Sequence, residues 1–201
     1  MNKKIISATI IATSMACVAN AETKIGVSYI SNTVNFSSIG KYTFDGYGIS
    51  IISEGESKLS TSIGYSSIGG ADLTFSQFST IVGYDLINDL DLSTGSGNRL
   101  RAGIGYERIE ASGLGIHDSE GSVVAGLEYD FALSKDITMD FSLSGVVDDF
   151  IPTYGIGIGY NVGNGEISAG YGFSEDTIGA TKIEESGFTI GYTHGFWLLI
   201  T

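Results

Sequence analysis

Seven consecutive residues, Tyr154 to Tyr160, run bulky, glycine, bulky, glycine without a break. Successive side chains of an extended strand point to opposite faces, so one face carries Tyr154, Ile156, Ile158 and Tyr160 and the other carries glycine alone. No helical period sorts these residues so cleanly. A half-buried soluble strand sets apolar residues against polar ones, whereas here the apolar face ends in tyrosine on both sides. That is the dress of a strand whose outside meets lipid. The signature recurs at Ile63-Gly64-Tyr65, Val82-Gly83-Tyr84, Ile104-Gly105-Tyr106, Ala169-Gly170-Tyr171 and Ile190-Gly191-Tyr192.

The amino-terminal stretch fits that location. Met1-Asn2-Lys3-Lys4 is basic, Ile5 to Val18 is mostly apolar, and Ala19-Asn20-Ala21 supplies the small residues of a signal-peptidase site. The expected organisation is a signal peptide at residues 1–21 and one barrel domain at residues 22–201. Cys17, the single cysteine, leaves with the signal, so no disulfide or thiolate chemistry is expected. A lipoprotein reading would acylate Cys17, but Ser14-Met15-Ala16 is a poor approach to such a site. After Ala21 no apolar run approaches the roughly 18 residues of a spanning helix. A membrane protein without one must close its sheet, because only closure satisfies every backbone group in lipid.

Read in order, the alternation predicts ten strands. They are Thr23 to Ile30, Tyr42 to Ser53, Lys58 to about Ile68, Leu73 to Leu86, Arg99 to Ile109, Ser122 to Ala132, Ile137 to Ser144, Tyr154 to Tyr160, Ile167 to Phe173, and Gly187 onward. Ser31 to Lys41, Glu110 to Gly121, Asp148 to Pro152 and Ser174 to Glu185 read as outer loops, and Glu54 to Ser57 as a short inner turn. Asn88 to Asn98 is long for an inner connection, and losing a hairpin there would leave eight strands. With the amino end inside, Tyr65, Tyr106 and Tyr171 end outward-running strands while Tyr84, Tyr129 and Tyr160 end inward-running ones. Two aromatic girdles are therefore expected.

Together with the closing run Gly187 to Phe196, these features resemble the small single-chain outer-membrane β-barrels, the OmpX-like and opacity-protein-like group. The resemblance implies a closed antiparallel barrel in the outer membrane of a Gram-negative bacterium. Members of that group commonly stop on an aromatic residue, whereas here Trp197-Leu198-Leu199-Ile200-Thr201 follows Phe196. That departure leaves open the register of the last strand and the facing of His194.

Charge narrows the partners. Removing Lys3 and Lys4 with the signal takes the formal charge from −13 to −15, which disfavours nucleic acid. Lipid and lipopolysaccharide are the expected surroundings of a monomer, with an extracellular partner reachable through the acidic outer loops. On the lumen face, Arg99 and Arg101 begin one strand, Asp85, Glu128 and Asp130 end others, and Asp140 begins another, so all six are expected at one level near the periplasmic mouth. Such a layer is either a set of salt bridges that obstructs the lumen or a constriction that selects ions. Above it the inward residues are mainly glycine and serine. His117-Asp118-Ser119-Glu120 holds residue types found in rim hydrolases, but adjacent residues point apart and no spacing enforces a triad. Neither a metal-ligand spacing nor a nucleotide or cofactor motif is present. The sequence thus favours a structural or surface-interaction barrel with a plugged lumen, ahead of a narrow passive channel and, third, a rim enzyme, with no catalytic residue assigned.

Overall fold

The computed structural model describes residues 21–37, 40–55, 58–148, 151–178 and 181–197. Most of the segment read as a signal peptide, residues 1–20, lies outside them, as do Leu198 and Ile200 of the last alternation. Ten strands follow one another: β1 (Ala21–Phe36), β2 (Gly40–Gly55), β3 (Leu59–Gly70), β4 (Leu73–Asn88), β5 (Asn98–Gly113), β6 (Ile116–Ala132), β7 (Ile137–Val146), β8 (Thr153–Val162), β9 (Gly165–Ile178) and β10 (Thr181–Trp197). Each pairs antiparallel with its sequence neighbours, and β10 returns to β1 to close the barrel. The closing seam runs from Glu22 opposite Trp197 to Phe36 opposite Ile183. This fixes the last register: His194 lies opposite Ile25 and Gly165.

Burial is inverted relative to a soluble protein. The side chains of Ile25, Val27, Ile49, Ile51, Ile104, Ile156, Ile158 and Ile190 are exposed on the outer surface, and Phe44 alone among the described hydrophobic residues is buried, at 4%. The buried set is otherwise polar and includes Ser60, Asp85 and Asp130. An apolar exterior of this extent has one stable solvent, hydrocarbon.

The strands differ from the sequence reading mainly at their outer ends. Ser31 to Phe36, Gly40 and Lys41, Glu110 to Gly113, Ile116 to Gly121, Ser174 to Ile178 and Thr181 to Glu185 are strand, where loops were expected. Acidic and glycine-rich composition resembles loop chemistry, but a flanking strand already in register supplies ladder partners that override local preference. The outward reversals at 71–72 and 114–115 are correspondingly tight. Ala71 (φ 50°), Asp72 (φ 61°), Leu114 (φ 50°) and Gly115 (φ 78°) take the left-handed conformation that two-residue hairpins of type I′ demand.

One irregularity serves the lumen. The β4–β5 register slips between Asp85 and Ile87, so two consecutive apolar residues, Leu86 and Ile87, both remain exposed while Asp85 and Asn88 line the interior. A uniform alternation would have turned one of the apolar pair inward.

Candidate functional site

The end of the barrel where β1 begins and β10 ends contains a charged layer centred on Glu54 of β2. Its Oε1 accepts hydrogen bonds from Arg99 Nη1 at 2.7 Å and Arg101 Nη2 at 3.0 Å, and its Oε2 accepts from Lys24 Nζ at 2.9 Å. Arg99 and Arg101 stand on β5, and β3 and β4 separate that strand from β2. These bonds therefore cross the lumen instead of following the wall. Arg99 also holds Asp130 Oδ2 at 2.7 Å, Arg101 Nε holds Asp85 Oδ1 at 2.8 Å, and Glu128 Oε2 lies 3.9 Å from Arg101 Nη1. Asp140 faces Gly157 on β8, where a Cβ would overlap its carboxylate.

The structure thus brings Asp85, Arg99, Arg101, Glu128 and Asp130 into one network, with Asp140 beside them on the wall of the same cavity. Glu54 and Lys24 were not among the residues singled out from sequence. The Glu-Gly-Glu-Ser run at 54–57 resembles a turn, yet extending the outward parity of Ile49 and Ile51 by one step past Ser53 places Glu54 inward, and that signal was available.

A cavity of about 850 Å³ contains this layer in its wall, together with small residues, among them Ser60, Ser62, Gly83, Gly103, Gly126 and Ser142. Leu90 and Leu92, from the 89–97 connection, also line it. This connection is the long inner link of the sequence reading, and its length has a structural use. It folds back on itself through an Asp91–Ser96 bridge, accepts a hydrogen bond from Ala132 N–H at Gly97 O (3.2 Å), and lies against Ser134 and Lys135 of the neighbouring turn. Asp91 Oδ1 accepts from Ser93 N–H at 2.9 Å and from Ser93 Oγ at 2.6 Å, and these bonds hold its carboxyl below the usual carboxylate range. Toward the outer end, Phe44 of β2 and Phe75 of β4 meet edge to face at 5.2 Å, and Gln77 Nε2 donates to Glu107 Oε2 at 2.6 Å.

Aromatic residues form two rows outside. Tyr29 contacts Tyr47 and Phe188 at 5.8 and 5.9 Å, Tyr65 lies opposite Phe78, and Tyr171 lies opposite Phe188. At the other end Tyr129 lies opposite Phe141, with Tyr84 and Tyr160 exposed on the same surface. Tyr106 is the exception, half-buried with its hydroxyl over Gly121. His194 belongs to the inner row. Its Nδ1 lies 3.1 Å from the Tyr192 hydroxyl and its ring 4.8 Å from that of Phe196, so an imidazole on the outer face has a polar partner at the interface. Just above the outer row the exterior turns polar. Tyr29 donates to Asp45 at 3.0 Å, and Lys182 pairs with Glu175 at 3.0 Å and Glu184 at 2.8 Å. That pairing raises the Lys182 ammonium pKa and lowers the Glu184 carboxyl.

His117 stands exposed near the β5–β6 turn. The neighbouring Asp118 carboxylate accepts from Ser119 N–H at 2.8 Å, and no described hydrogen bond or ion pair joins the imidazole to Asp118, Ser119 or Glu120. Among the described residues no group of three or more His, Cys, Asp or Glu is arranged to hold a metal ion.

A closed antiparallel barrel that wears its apolar residues outside and its charges inside is a transmembrane β-barrel of the Gram-negative outer-membrane class. The fold is similar to that of a solved barrel. The outer membrane protease OmpT from Escherichia coli superposes with a TM-score of 0.53 at 12% identity, over 89% of this chain and 97% of that one. Neisserial surface protein A gives 0.49 at 13% identity over 87% and 97%, and the translocator domain of the autotransporter NalP from Neisseria meningitidis gives 0.47 at 9% over 95% and 94%. No protein-family model and no curated protein sequence matches the chain.

Proposed function

We propose that this chain, exported by residues 1–21 and then freed of them, is a monomeric structural and surface-interaction barrel whose lumen is shut near the periplasmic end. It sits in outer-membrane lipid and lipopolysaccharide, with its aromatic rows at the two interfaces, and meets extracellular partners through the acidic extensions of its outward strands. The observation that carries the closed-lumen reading is the Glu54 carboxylate bound at once by Lys24 of the neighbouring strand and, across the bore, by Arg99 and Arg101. Leu90 and Leu92 line the same cavity, and an ion crossing there would have to break ion pairs. Catalysis, metal and cofactor have no part in this reading; the likeness to OmpT concerns fold alone and lends the chain no catalytic residue.

The second reading, a narrow passive channel, draws on the cavity of about 850 Å³ that the layer lines. Planar-bilayer recording separates the two. Wild type is expected to give no steady unitary steps, and Glu54→Ala combined with Leu90→Ser and Leu92→Ser is expected to create them. Stable wild-type steps that change in Arg101→Ala would refute the closed lumen.

A further inference from the structure

Of the described residues, three cations and seven carboxylates line the cavity, and the cations are already engaged. Lys24, Arg99 and Arg101 all turn to Glu54, and the two arginines also hold Asp130 and Asp85. The acids on the arc beyond β6 receive no such answer. Asp140 of β7 and Glu166 of β9 are half-buried in the cavity wall, and among the described residues neither has a hydrogen-bond or ion-pair partner. A carboxylate in that position gives up hydration without compensation. This arc calls for positive charge that the chain does not supply.

The two acids stand in line. β8 lies between their strands and turns Gly157 and Gly159 to the lumen, so both carboxylates fold down over it. The Asp140 carboxylate occupies the place a Cβ of Gly157 would take, and the Glu166 carboxylate comes within 2.7 Å of the Cβ position of Gly159, as does the Thr138 hydroxyl. Two residues of strand separate these positions, about 7 Å. The next inward residue of β8 is Asn161, directly opposite Glu166, and its Nδ2 is buried without a hydrogen-bond partner. Along one strand face the wall therefore offers an anion, a second anion and an unanswered N–H donor.

That spacing does not suit a metal ion, since among the described residues no three acidic or imidazole groups converge on one point. It suits an elongated solute. The cavity of about 850 Å³ has the size of a small-molecule site, and Gly163 and Asn164 of the β8–β9 turn line it too, so it reaches the inner mouth. A plain diamine would leave the Asn161 amide unanswered, and a single cation would leave one acid so. Lysine presents an ammonium, a second ammonium and a carboxylate in the required order.

We infer that this arc is a binding site for a diamino acid of the lysine class, entered from the inner mouth. The side-chain ammonium lies at Asp140, the α-ammonium at Glu166, and the carboxylate accepts from Asn161 Nδ2. The inference goes beyond the proposed function and holds whether or not the charged layer shuts the bore.

The test titrates the full-length barrel in lipid nanodiscs by calorimetry with lysine, with cadaverine, which lacks the carboxylate, and with norleucine, which lacks the side-chain ammonium. Lysine is expected to bind, and each analogue at least about tenfold more weakly, about 1.4 kcal/mol. Asp140→Asn should weaken lysine by a similar factor and leave norleucine unchanged. Asn161→Leu should weaken lysine and leave cadaverine unchanged, and Glu166→Gln should weaken all three. Heat-modifiable gel migration confirms that each variant is folded, and a folding defect would not produce losses that depend on which group the ligand lacks. Absence of lysine binding to wild type would overturn the inference, as would equal lysine affinity in wild type, Asp140→Asn and Glu166→Gln. Cadaverine bound as tightly as lysine would mean an acidic lumen that attracts any organic cation, and would overturn it too.

Discussion

Neutralising Glu54 by Glu54→Gln keeps the shape of the side chain and deletes the charge that three cations share. Hydrogen bonds to charged groups contribute about 1.5–3 kcal/mol each, and three meet on this carboxylate, but the losses do not simply add. Arg99 keeps Asp130 and Arg101 keeps Asp85, while Lys24, with 35% of its side chain exposed, regains water. Glu54 itself retains 22% exposure, which places the pair network at the low end of the range for breaking buried ion pairs. A destabilisation of about 3 kcal/mol is expected. Urea unfolding of vesicle-reconstituted protein, followed by the fluorescence of the single tryptophan Trp197, measures it. A double-mutant cycle with Arg99→Gln should return a coupling of at least about 1 kcal/mol. A loss under about 0.5 kcal/mol together with no coupling would show that the layer is solvated and does not lock the bore.

The remaining expectations concern the wall and the inner turn. Ile158, exposed between Tyr154 and Tyr160 on β8, lies in the lipid band, so Ile158→Arg should cost about 2–4 kcal/mol in the same unfolding assay; a neutral outcome would deny the lipid contact. Gly46→Ala drives a methyl into the Ser67 carbonyl, whereas at Gly170 the nearest atom is the Ile156 carbonyl at 3.6 Å. The first should therefore lose about 1–3 kcal/mol and the second far less, and equal losses would contradict the registers. Asp91 has a depressed carboxyl pKa because Ser93 donates to it. A group depressed on folding contributes stability above its unfolded pKa of about 3.9, lost as pH falls through the lower folded value. The Ser93 amide resonance should accordingly titrate with a midpoint below about 3.9 and stop titrating in Asp91→Ala; a midpoint at or above that value would refute the bond.

Strand number and facing are legible from a period of two because each rung repeats the same choice between lipid and lumen. Tyr154 to Tyr160 declares its face with no help from its neighbours. Strand ends are not so declared. Glu110 and Glu120 sit in stretches whose composition suits a loop, and only the partners across the ladder make them strand, which a local pattern does not contain. The six lumen charges singled out from sequence share a level by parity and counting. Arg99 reaching Glu54 across two intervening strands depends instead on curvature and closure, properties of the whole cylinder. The bulge at Leu86 is invisible for a related reason, since it inserts one residue and restores the alternation within a step.

The seam between β1 and β10 joins the first and last segments of the chain from Glu22–Trp197 to Phe36–Ile183. Until β10 arrives, β1 has no place to hide one whole row of its amides from hydrocarbon. Insertion and closure must then be a single event: a fragment lacking the seventeen residues of β10 has no halfway home in the bilayer and must be kept in water by something else.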